Sequence, residues 1–276
     1  MSLLDENLHK LDMPSDGLKA SGWAKVYKLD VTETLQTWAK FMAESGIFHQ
    51  NDLVWNGPRR PCVIHPSSVD NPCDFFLYLD LVGEEGVKEM SGSTQLILDT
   101  GTAIHGMMQY YQESRAKQKG YQYEAEVGFN PDNNKNCKVL RMAGHADGVS
   151  MGWPTAVKIV WEYKTISRKG FERLTSPHKA HVKQVHLYML AVGAPVAFIV
   201  YICKDNSEIK TFKVKFSENV WRPLLERIFY IRECAKFMKD PEKRIGPSCR
   251  RCKHLKVCEP DLSNVREFGR LHTRFS

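Results

Sequence analysis

Runs of apolar and polar residues divide the 276-residue chain into predicted helices and strands. Apolar residues spaced three and four positions apart predict helices, and short β-branched apolar runs predict buried strands. From residue 101 onwards the predicted order is a helix, three strands, a helix, two strands and a long helix. Their predicted ranges are 101–118, 121–130, 138–149, 156–166, 178–192, 196–204, 208–216 and 217–239. Helices that flank strands in this order predict an α/β fold with a mixed central sheet.

The N-terminal part of the chain has a less regular pattern. Asp99 or Thr100 is predicted to cap the first core helix, because a side-chain oxygen there accepts a hydrogen bond from a free backbone N–H. The stretch 31–44, VTETLQTWAKFMAE, has the apolar spacing of an amphipathic helix. We therefore predict an N-terminal helical extension over residues 1–60 and one larger domain over residues 61–276.

Two charged residues stand in the apolar run VKIVWEYKTIS, which predicts a buried strand. Because side chains alternate along a strand, Glu162 and Lys164 share one face, and Trp161 and Tyr163 share the other. Asp147 lies in the preceding strand-like run, and the turn formers of SMGWPTA predict a hairpin that brings Asp147, Glu162 and Lys164 together. Such a group is either a buried salt bridge or a site where two carboxylates and a lysine hold a divalent cation and activate water.

Two predicted helices carry polar residues on mainly apolar faces. His105 lies among apolar residues of the first core helix, where a histidine is usually a hydrogen-bonded core residue. Gln184 and Tyr188 are four residues apart on the next helix and so share one face. Taken alone, each of these positions is explained by packing.

Four short segments, taken in their order along the chain, resemble the RecB-like branch of the PD-(D/E)XK nucleases over roughly residues 70 to 260. The matching segments are Gly101-x-x-x-His105, Gly144-His145-Ala146-Asp147, Glu162-Tyr163-Lys164 and Gln184-x-x-x-Tyr188. Ala146 replaces the proline after which the motif is named, a replacement that is common in such nucleases. The resemblance implies a core with the order αβββαβ, in which helices flank a mixed central sheet.

The resemblance also implies metal-dependent hydrolysis of phosphodiester bonds. Asp147, Glu162 and the carbonyl of Tyr163 would hold Mg²⁺ or Mn²⁺, with His105 as a further ligand. A nitrogen ligand makes Mn²⁺ more acceptable than it is in a site built from oxygen alone.

Three other residues have roles implied by the same resemblance. Lys164 would orient the attacking water or stabilise charge on the phosphate, and Gln184 and Tyr188 would position the phosphate or the nucleophile. Glu126 is a weaker candidate for a carboxylate outside the metal ligands. The implied activity is a DNA exonuclease that acts on single strands or DNA ends. Two alternatives are a non-catalytic DNA-binding or assembly module and a zinc-stabilised enzyme with another substrate.

Cysteine usage points to a reducing compartment. The sequence has no visible signal peptide or transmembrane run, which predicts a cytoplasmic protein of a prokaryote or of a phage-infected cell, without disulfides. The eight cysteines are at positions 62, 73, 137, 203, 234, 249, 252 and 258. Three of them form the spacing Cys249-x2-Cys252-x5-Cys258. The flanking cations Arg250, Arg251, Lys253 and Lys256 are expected to lower the pKa values of these thiols.

The fourth ligand of this trio is predicted to be Cys73. Iron–sulfur members of the RecB-like branch, including the CRISPR-associated exonuclease family, have one cysteine before the first core helix and three after the core. This layout implies a [4Fe–4S] cluster. Zn²⁺ in the same four-cysteine site is the alternative, and Cys62 or His254 could replace Cys73. Cys137, Cys203 and Cys234 are predicted to be ordinary buried thiols.

The charge of the chain adds a candidate nucleic-acid surface. The net charge is +7, and basic residues are concentrated between the strand of Glu162 and the helix of Gln184. They are Lys164, Arg168, Lys169, Arg173, His178, Lys179, His181 and Lys183. With Phe171 and Tyr188 stacking on bases, this segment would follow a DNA backbone; the alternative is a solvated face. The sequence contains no P-loop, so unwinding would require a helicase, recombination or CRISPR partner protein.

Overall fold

The computed structural model describes residues 3–14, 62–84, 86, 92–152 and 156–262. Within these residues, five strands form one sheet in the order β1-β2-β3-β4-β5. The strands are β1 (Gln122–Phe129), β2 (Gly144–Met151), β3 (Ile159–Ile166), β4 (Val196–Cys203) and β5 (Ile209–Lys215). β3 and β4 are parallel, and the other neighbouring pairs are antiparallel. The predicted α/β fold with a mixed sheet is therefore confirmed.

Helices flank this sheet. In the described part of the chain the α-helices are α1 (Leu3–Leu8), α2 (Asp74–Val82), α3 (Gly92–Lys119), α4 (Lys135–Leu140), α5 (Arg168–Arg173), α6 (Lys179–Val192), α7 (Glu218–Lys236) and α8 (Leu255–Cys258). Taking α3 and α6 as the core helices, the order α3, β1, β2, β3, α6, β4 reproduces the implied αβββαβ core. The helices α4 and α5 are short insertions between these elements.

The two faces of the sheet bury separate apolar clusters. Trp161 and Tyr163 of β3 pack with Met108 and Tyr111 of α3. Val160 packs with residues of α6 and α7 in the other cluster. The predicted alternation along β3 is therefore confirmed, and Glu162 is placed between the sheet and α6.

The predicted cap of the first core helix is wrong. α3 begins at Gly92, so Asp99 and Thr100 lie inside the helix, and the hydroxyl of Thr100 donates to the carbonyl of Leu96 at 2.8 Å. A threonine hydroxyl can bond back to the preceding turn of a helix. The local cap signal therefore did not mark the start of this helix.

The predicted strand 138–149 is also wrong in its first half, which forms α4. The side chain of Asn134 caps α4 by accepting from the N–H of Cys137 at 3.0 Å. The buried amide of Asn136 donates to the carbonyls of Asp12 and Leu190, each at 2.7 Å. These long-range bonds hold the segment in a helix, and β2 begins only at Gly144.

The described N-terminal residues pack on the core, because α1 contacts α7. The predicted helix at 31–44 lies outside the described residues, and the boundary between residues 1–60 and 61–276 stays a prediction. Cys137, Cys203 and Cys234 are buried and free, as predicted. Among the described helices, none is long and apolar enough to cross a membrane.

Candidate active site

Asp147 lies where β2 and β3 separate. The ladder between these strands pairs Ser150 with Ile159 and ends at Gly148 and Trp161. One residue further, the carboxylate Oδ2 of Asp147 accepts the backbone N–H of Tyr163 at 2.6 Å. The predicted pairing of the two strands is therefore present. Where the strands separate, the carboxylate of Asp147 accepts the hydrogen bond that a backbone carbonyl would otherwise accept.

Glu162 and Lys164 lie beside Asp147 on β3. Lys164 Nζ is 2.5 Å from Glu162 Oε1, and the same oxygen accepts from Gln184 Nε2 at 2.9 Å. Glu162 is 1% exposed, and its second oxygen, Oε2, has no hydrogen-bond partner within the described residues. A buried carboxylate oxygen without a donor is costly, so Oε2 is suited to a ligand that brings positive charge.

The electrostatics of the two residues follow from their burial. Burial and the charge of Asp147 raise the pKa of Glu162 to about 7, although Lys164 opposes this. Burial alone would lower the pKa of Lys164, but the charges of Glu162 and Asp147 outweigh it and raise that pKa. Lys164 is therefore a cation next to a carboxylate that is held at a high free energy.

His105 of α3 completes this side of the site. Its Nδ1 is 3.5 Å from Asp147 Oδ1, and its ring meets that of Tyr163 edge to face. Burial opposes charge on both groups, but their hydrogen bond and mutual attraction raise the pKa of His105 and lower that of Asp147. The structure thus places His105 against a carboxylate of the predicted site.

Gln184 connects α6 to the site. Its Nε2 lies 2.9 Å from Glu162 Oε1 and 2.7 Å from the hydroxyl of Tyr188. Tyr188 is buried, and its ring packs edge to face on Phe129. Tyr188 therefore touches the site through Gln184, which rules out the predicted stacking of its ring on a DNA base.

Sequence reasoning missed Gln109. This buried side chain donates to Glu126 Oε1 at 2.5 Å and to the carbonyl of Asp147 at 2.9 Å. Glu126 itself has a left-handed backbone with φ of 49°, a conformation that is costly for this residue and often found at functional sites. Gln109 follows His105 by four positions, so a polar pair on one helix face was the available signal.

The four cysteines of the predicted cluster site line one cavity of about 300 Å³. Cys73 precedes α2, Cys249 and Cys252 lie in and after the 3₁₀ helix Pro247–Arg251, and Cys258 ends α8. His254 also lines the cavity, whereas Cys62 is not among its lining residues.

The thiols of Cys252 and Cys258 do not have the predicted low pKa values. Burial raises the pKa of Cys252 and of Cys258, and this outweighs the lowering effect of Lys253 and of Lys243, respectively. The other cysteines of the cavity add to the increase, because nearby thiolates repel one another. The expectation from the flanking cations is therefore wrong for these two thiols.

A fork of hydrogen bonds fixes the segment that carries Cys73. Arg227 of α7 donates to Asp74 Oδ1 at 2.6 Å, to the carbonyl of Val69 at 2.9 Å and to the carbonyl of Asn71 at 2.5 Å. One planar guanidinium thus holds three points of the segment.

A buried carboxylate of α2 holds the C-terminal segment that lines the cavity. Asp80 is 7% exposed, pairs with Lys253 and accepts a hydrogen bond from His254 Nε2 at 2.8 Å. Although burial opposes its charge, these two partners lower the pKa of Asp80. The C-terminal cysteines are therefore tied to the helix that Cys73 precedes.

Neither group of residues forms a ready-made metal site. Across the described ranges, no three His, Cys, Asp or Glu side chains converge closely enough to hold an ion. In the active site the carboxylates bond instead to Lys164, to Gln184 and to the backbone of Tyr163.

The basic segment predicted to bind DNA forms α5 and the start of α6. Lys169, Arg173 and Lys179 are exposed there. Lys183 differs, because its Nζ lies 2.6 Å from Asp70 Oδ1. Phe171 is buried, so the predicted stacking of its ring on a base is wrong.

Two acidic residues and a lysine lie where two strands of an α/β core diverge. This arrangement is typical of nuclease-like hydrolases. Residues 88–259 match the PD-(D/E)XK nuclease superfamily. Because this match spans more than half of the sequence, the chain belongs to that superfamily.

Several solved structures are similar to the chain. The crystal structure of SSO0001 has 16% identity and a TM-score of 0.42, over 82% of this chain and 96% of that one. An alkaline exonuclease from Laribacter hongkongensis has 11% identity and a TM-score of 0.46, over 65% of this chain and 90% of that one. Its complex with dAMP has a TM-score of 0.45 at 11% identity, over 64% and 89% of the two chains. No curated protein sequence is significantly similar to the chain.

Proposed function

We propose that the protein is a metal-dependent DNA nuclease of the RecB-like branch, and that it acts as an exonuclease on single strands or DNA ends. The observation that carries this proposal is the arrangement of Asp147, Glu162 and Lys164 where β2 and β3 diverge. Among the described residues the Oε2 oxygen of Glu162 has no partner, which distinguishes this group from a self-contained salt bridge. A salt bridge built for stability would satisfy both oxygens of a buried carboxylate.

The donor set fits a hard divalent cation. Asp147, Glu162 and the carbonyl of Tyr163 would hold Mg²⁺ or Mn²⁺, and His105 would be a further ligand. When bound, such a cation polarises a phosphate and lowers the pKa of a water molecule. The raised pKa of Glu162 supports the same assignment, because a carboxylate buried at a cost is stabilised by a cation.

The remaining side chains act on water and phosphate. Lys164 keeps its proton and presents an ammonium 2.5 Å from Glu162, where it orients the attacking water or stabilises charge on the phosphate. Gln184 fixes Glu162 through its amide, and Tyr188 fixes that amide in turn. Gln109 orients Glu126 and the backbone of Asp147 from the opposite side.

The cysteine cavity fits a [4Fe–4S] cluster held by Cys73, Cys249, Cys252 and Cys258. Four thiols on one cavity are the donor set of such a cluster, and also of Zn²⁺. A bound cluster supplies a link between the start of the core and its C-terminal segment. His254 is a weaker ligand candidate, because its Nε2 already bonds to Asp80.

End-labelled single- and double-stranded DNA tests the proposal. The protein should shorten labelled DNA with Mg²⁺ or Mn²⁺ and should be inactive in EDTA. Release of mononucleotides from one end identifies an exonuclease, whereas internal fragments identify an endonuclease. Metal-independent binding without cleavage would instead favour a DNA-binding or assembly module. If cleavage of duplex DNA requires an added helicase or recombination protein, this requirement identifies the class of partner.

The exposed cations of α5 and α6 provide a test of the DNA path. Changing Lys169, Arg173 or Lys179 singly to glutamate should weaken binding, because each change removes a phosphate contact. For single-stranded DNA, the slope of log affinity against log salt concentration should become less steep by about 0.7 for each change. Fluorescence anisotropy with labelled DNA in EDTA measures this slope.

Lys215 offers a matched control for these variants. Lys215 is exposed and pairs with Val196, the first residue of β4. Tyr201, which pairs with Lys164, lies near the other end of β4. Lys215→Glu should leave the salt slope unchanged. Equal slopes for the control and the three variants would show that DNA follows another path.

A further inference from the structure

A third polar side chain belongs to the row that α6 presents to the active site. His181, Gln184 and Tyr188 are spaced by three and four positions, so they lie on one helix face. Gln184 and Tyr188 already have contacts in the site. His181 begins the row, and its imidazole is hydrogen-bonded to the phenol of Tyr201.

Tyr201 lies next to the catalytic lysine in the sheet. It pairs with Lys164 across the parallel strands β3 and β4, and only 1% of it is exposed. Its hydroxyl accepts the backbone N–H of His178 at 3.0 Å and lies 2.7 Å from His181 Nδ1. The position of the His181 ring is therefore set by a buried group of the central sheet.

These contacts determine which nitrogen of His181 carries the proton. The hydroxyl of Tyr201 accepts from His178, and its own hydrogen needs an acceptor in this buried setting. His181 Nδ1 is the acceptor at hydrogen-bond distance. In a neutral imidazole the proton then resides on Nε2. Burial and the charge of Lys164 lower the pKa of His181 to about 4, so the ring is neutral at neutral pH.

The Nε2–H of His181 is a donor for which the described part of the chain supplies no acceptor. Within the described residues the hydrogen bond of His181 is the one that its Nδ1 makes to Tyr201, and the side chain is only half-buried. The exposed cation Lys179 is close by in sequence, at the start of the same helix. A fixed neutral donor on the same helix as this exposed cation suits a DNA phosphate oxygen.

We propose that His181 binds a phosphate of the DNA backbone through Nε2–H, with Tyr201 as the residue that orients its ring. This inference rests on the proposed function for the identity of the ligand. The contact is made by a neutral group, so it adds directional hydrogen bonding without adding to the charge that drives nonspecific binding. His181 thereby adds a phosphate contact to the helix face that carries the motif Gln184-x-x-x-Tyr188.

Two isosteric variants separate this role from a structural one. Glutamine places its amide near the position of Nε2, whereas asparagine places its amide near Nδ1. His181→Gln should therefore keep the affinity for single-stranded DNA in EDTA, and His181→Asn and His181→Ala should each weaken it by about tenfold, as expected for one lost hydrogen bond. If His181 only supports Tyr201, the order reverses, and asparagine is better tolerated than glutamine.

Tyr201→Phe supplies an independent arm. It removes the orienting hydroxyl but leaves His181 in place, so affinity should fall by about threefold, less than in His181→Ala. Thermal unfolding of each variant identifies losses that are due to folding. Unchanged affinity in His181→Ala, or absence of DNA binding by the wild-type protein, would overturn the inference. Wild-type protein that binds with the predicted variant order but never cleaves would overturn the proposed nuclease activity and leave this site standing.

Discussion

Replacing Asp147, Glu162 or Lys164 with alanine is expected to lower DNA cleavage by about a thousandfold or more, about 4 kcal/mol of transition-state stabilisation. Each change removes a proposed metal ligand or the ammonium that is proposed to act on the water or the phosphate. The losses in double variants should be much smaller than the product of the single losses, because the three groups act as one unit. Single-turnover cleavage of end-labelled DNA with Mn²⁺ or Mg²⁺ measures these effects. His105→Ala should lose less activity, since water can replace one ligand.

Isosteric changes distinguish a loss of catalytic groups from a loss of folding. The carboxylate of Asp147 accepts the N–H of Tyr163, so Asp147→Asn keeps an acceptor for this bond while removing the charge. Glu162→Gln likewise preserves the size of the side chain. Glu124→Gln changes an exposed carboxylate on β1 and should leave activity intact. Near-normal cleavage by Asp147→Asn or Glu162→Gln would place the active site elsewhere.

Replacing Cys73, Cys249, Cys252 or Cys258 with serine is expected to remove the cluster and to destabilise the protein. Protein purified without oxygen should be brown and contain about four irons per chain. Each serine variant should lose this iron and unfold at a lower temperature, because ligand binding is coupled to folding of the cavity walls. Iron analysis, visible absorption and thermal unfolding under anaerobic conditions measure the outcome.

The other cysteines provide the controls. Cys62 is exposed and does not line the cavity, so Cys62→Ser should retain iron. Serine variants of Cys137, Cys203 and Cys234 should retain it as well. Colourless protein with one zinc would exclude the iron–sulfur assignment and leave the nuclease proposal intact. Full iron in Cys73→Ser with loss in Cys62→Ser would move the fourth ligand to Cys62.

Much of the core could be predicted because its signals are local. The apolar run at β4 predicted a buried strand, and the alternation along β3 predicted which residues share a face. Both predictions were correct, because burial of a strand on both faces leaves these patterns in the sequence. The segment of α4 was wrong for the opposite reason. Its helix depends on Asn136, whose partners lie 124 and 54 residues away in sequence. No periodicity within residues 135–140 contains that information.

The active site shows the same division. Glu162 and Lys164 were visible in the sequence because charge in a buried strand is costly. Gln109 was not recognised, because a glutamine on a helix has no cost until the neighbouring sheet buries it. The predicted stacking of Phe171 and Tyr188 on bases was wrong, because both rings are buried. An aromatic side chain near basic residues has the same sequence pattern whether it is buried or exposed.

The sequence by itself determined the order of the core elements, the candidate site residues and the spacing of the cysteines. Those features depend on side-chain period, charge and chain distance, which a linear chain contains. Only the tertiary structure decided that β2 and β3 diverge at Asp147, that one oxygen of Glu162 lacks a donor among the described residues, and that Tyr201 contacts His181. These properties depend on which groups, distant in sequence, meet once water is excluded. Burial then sets the pKa values and the unmet hydrogen bonds of the site.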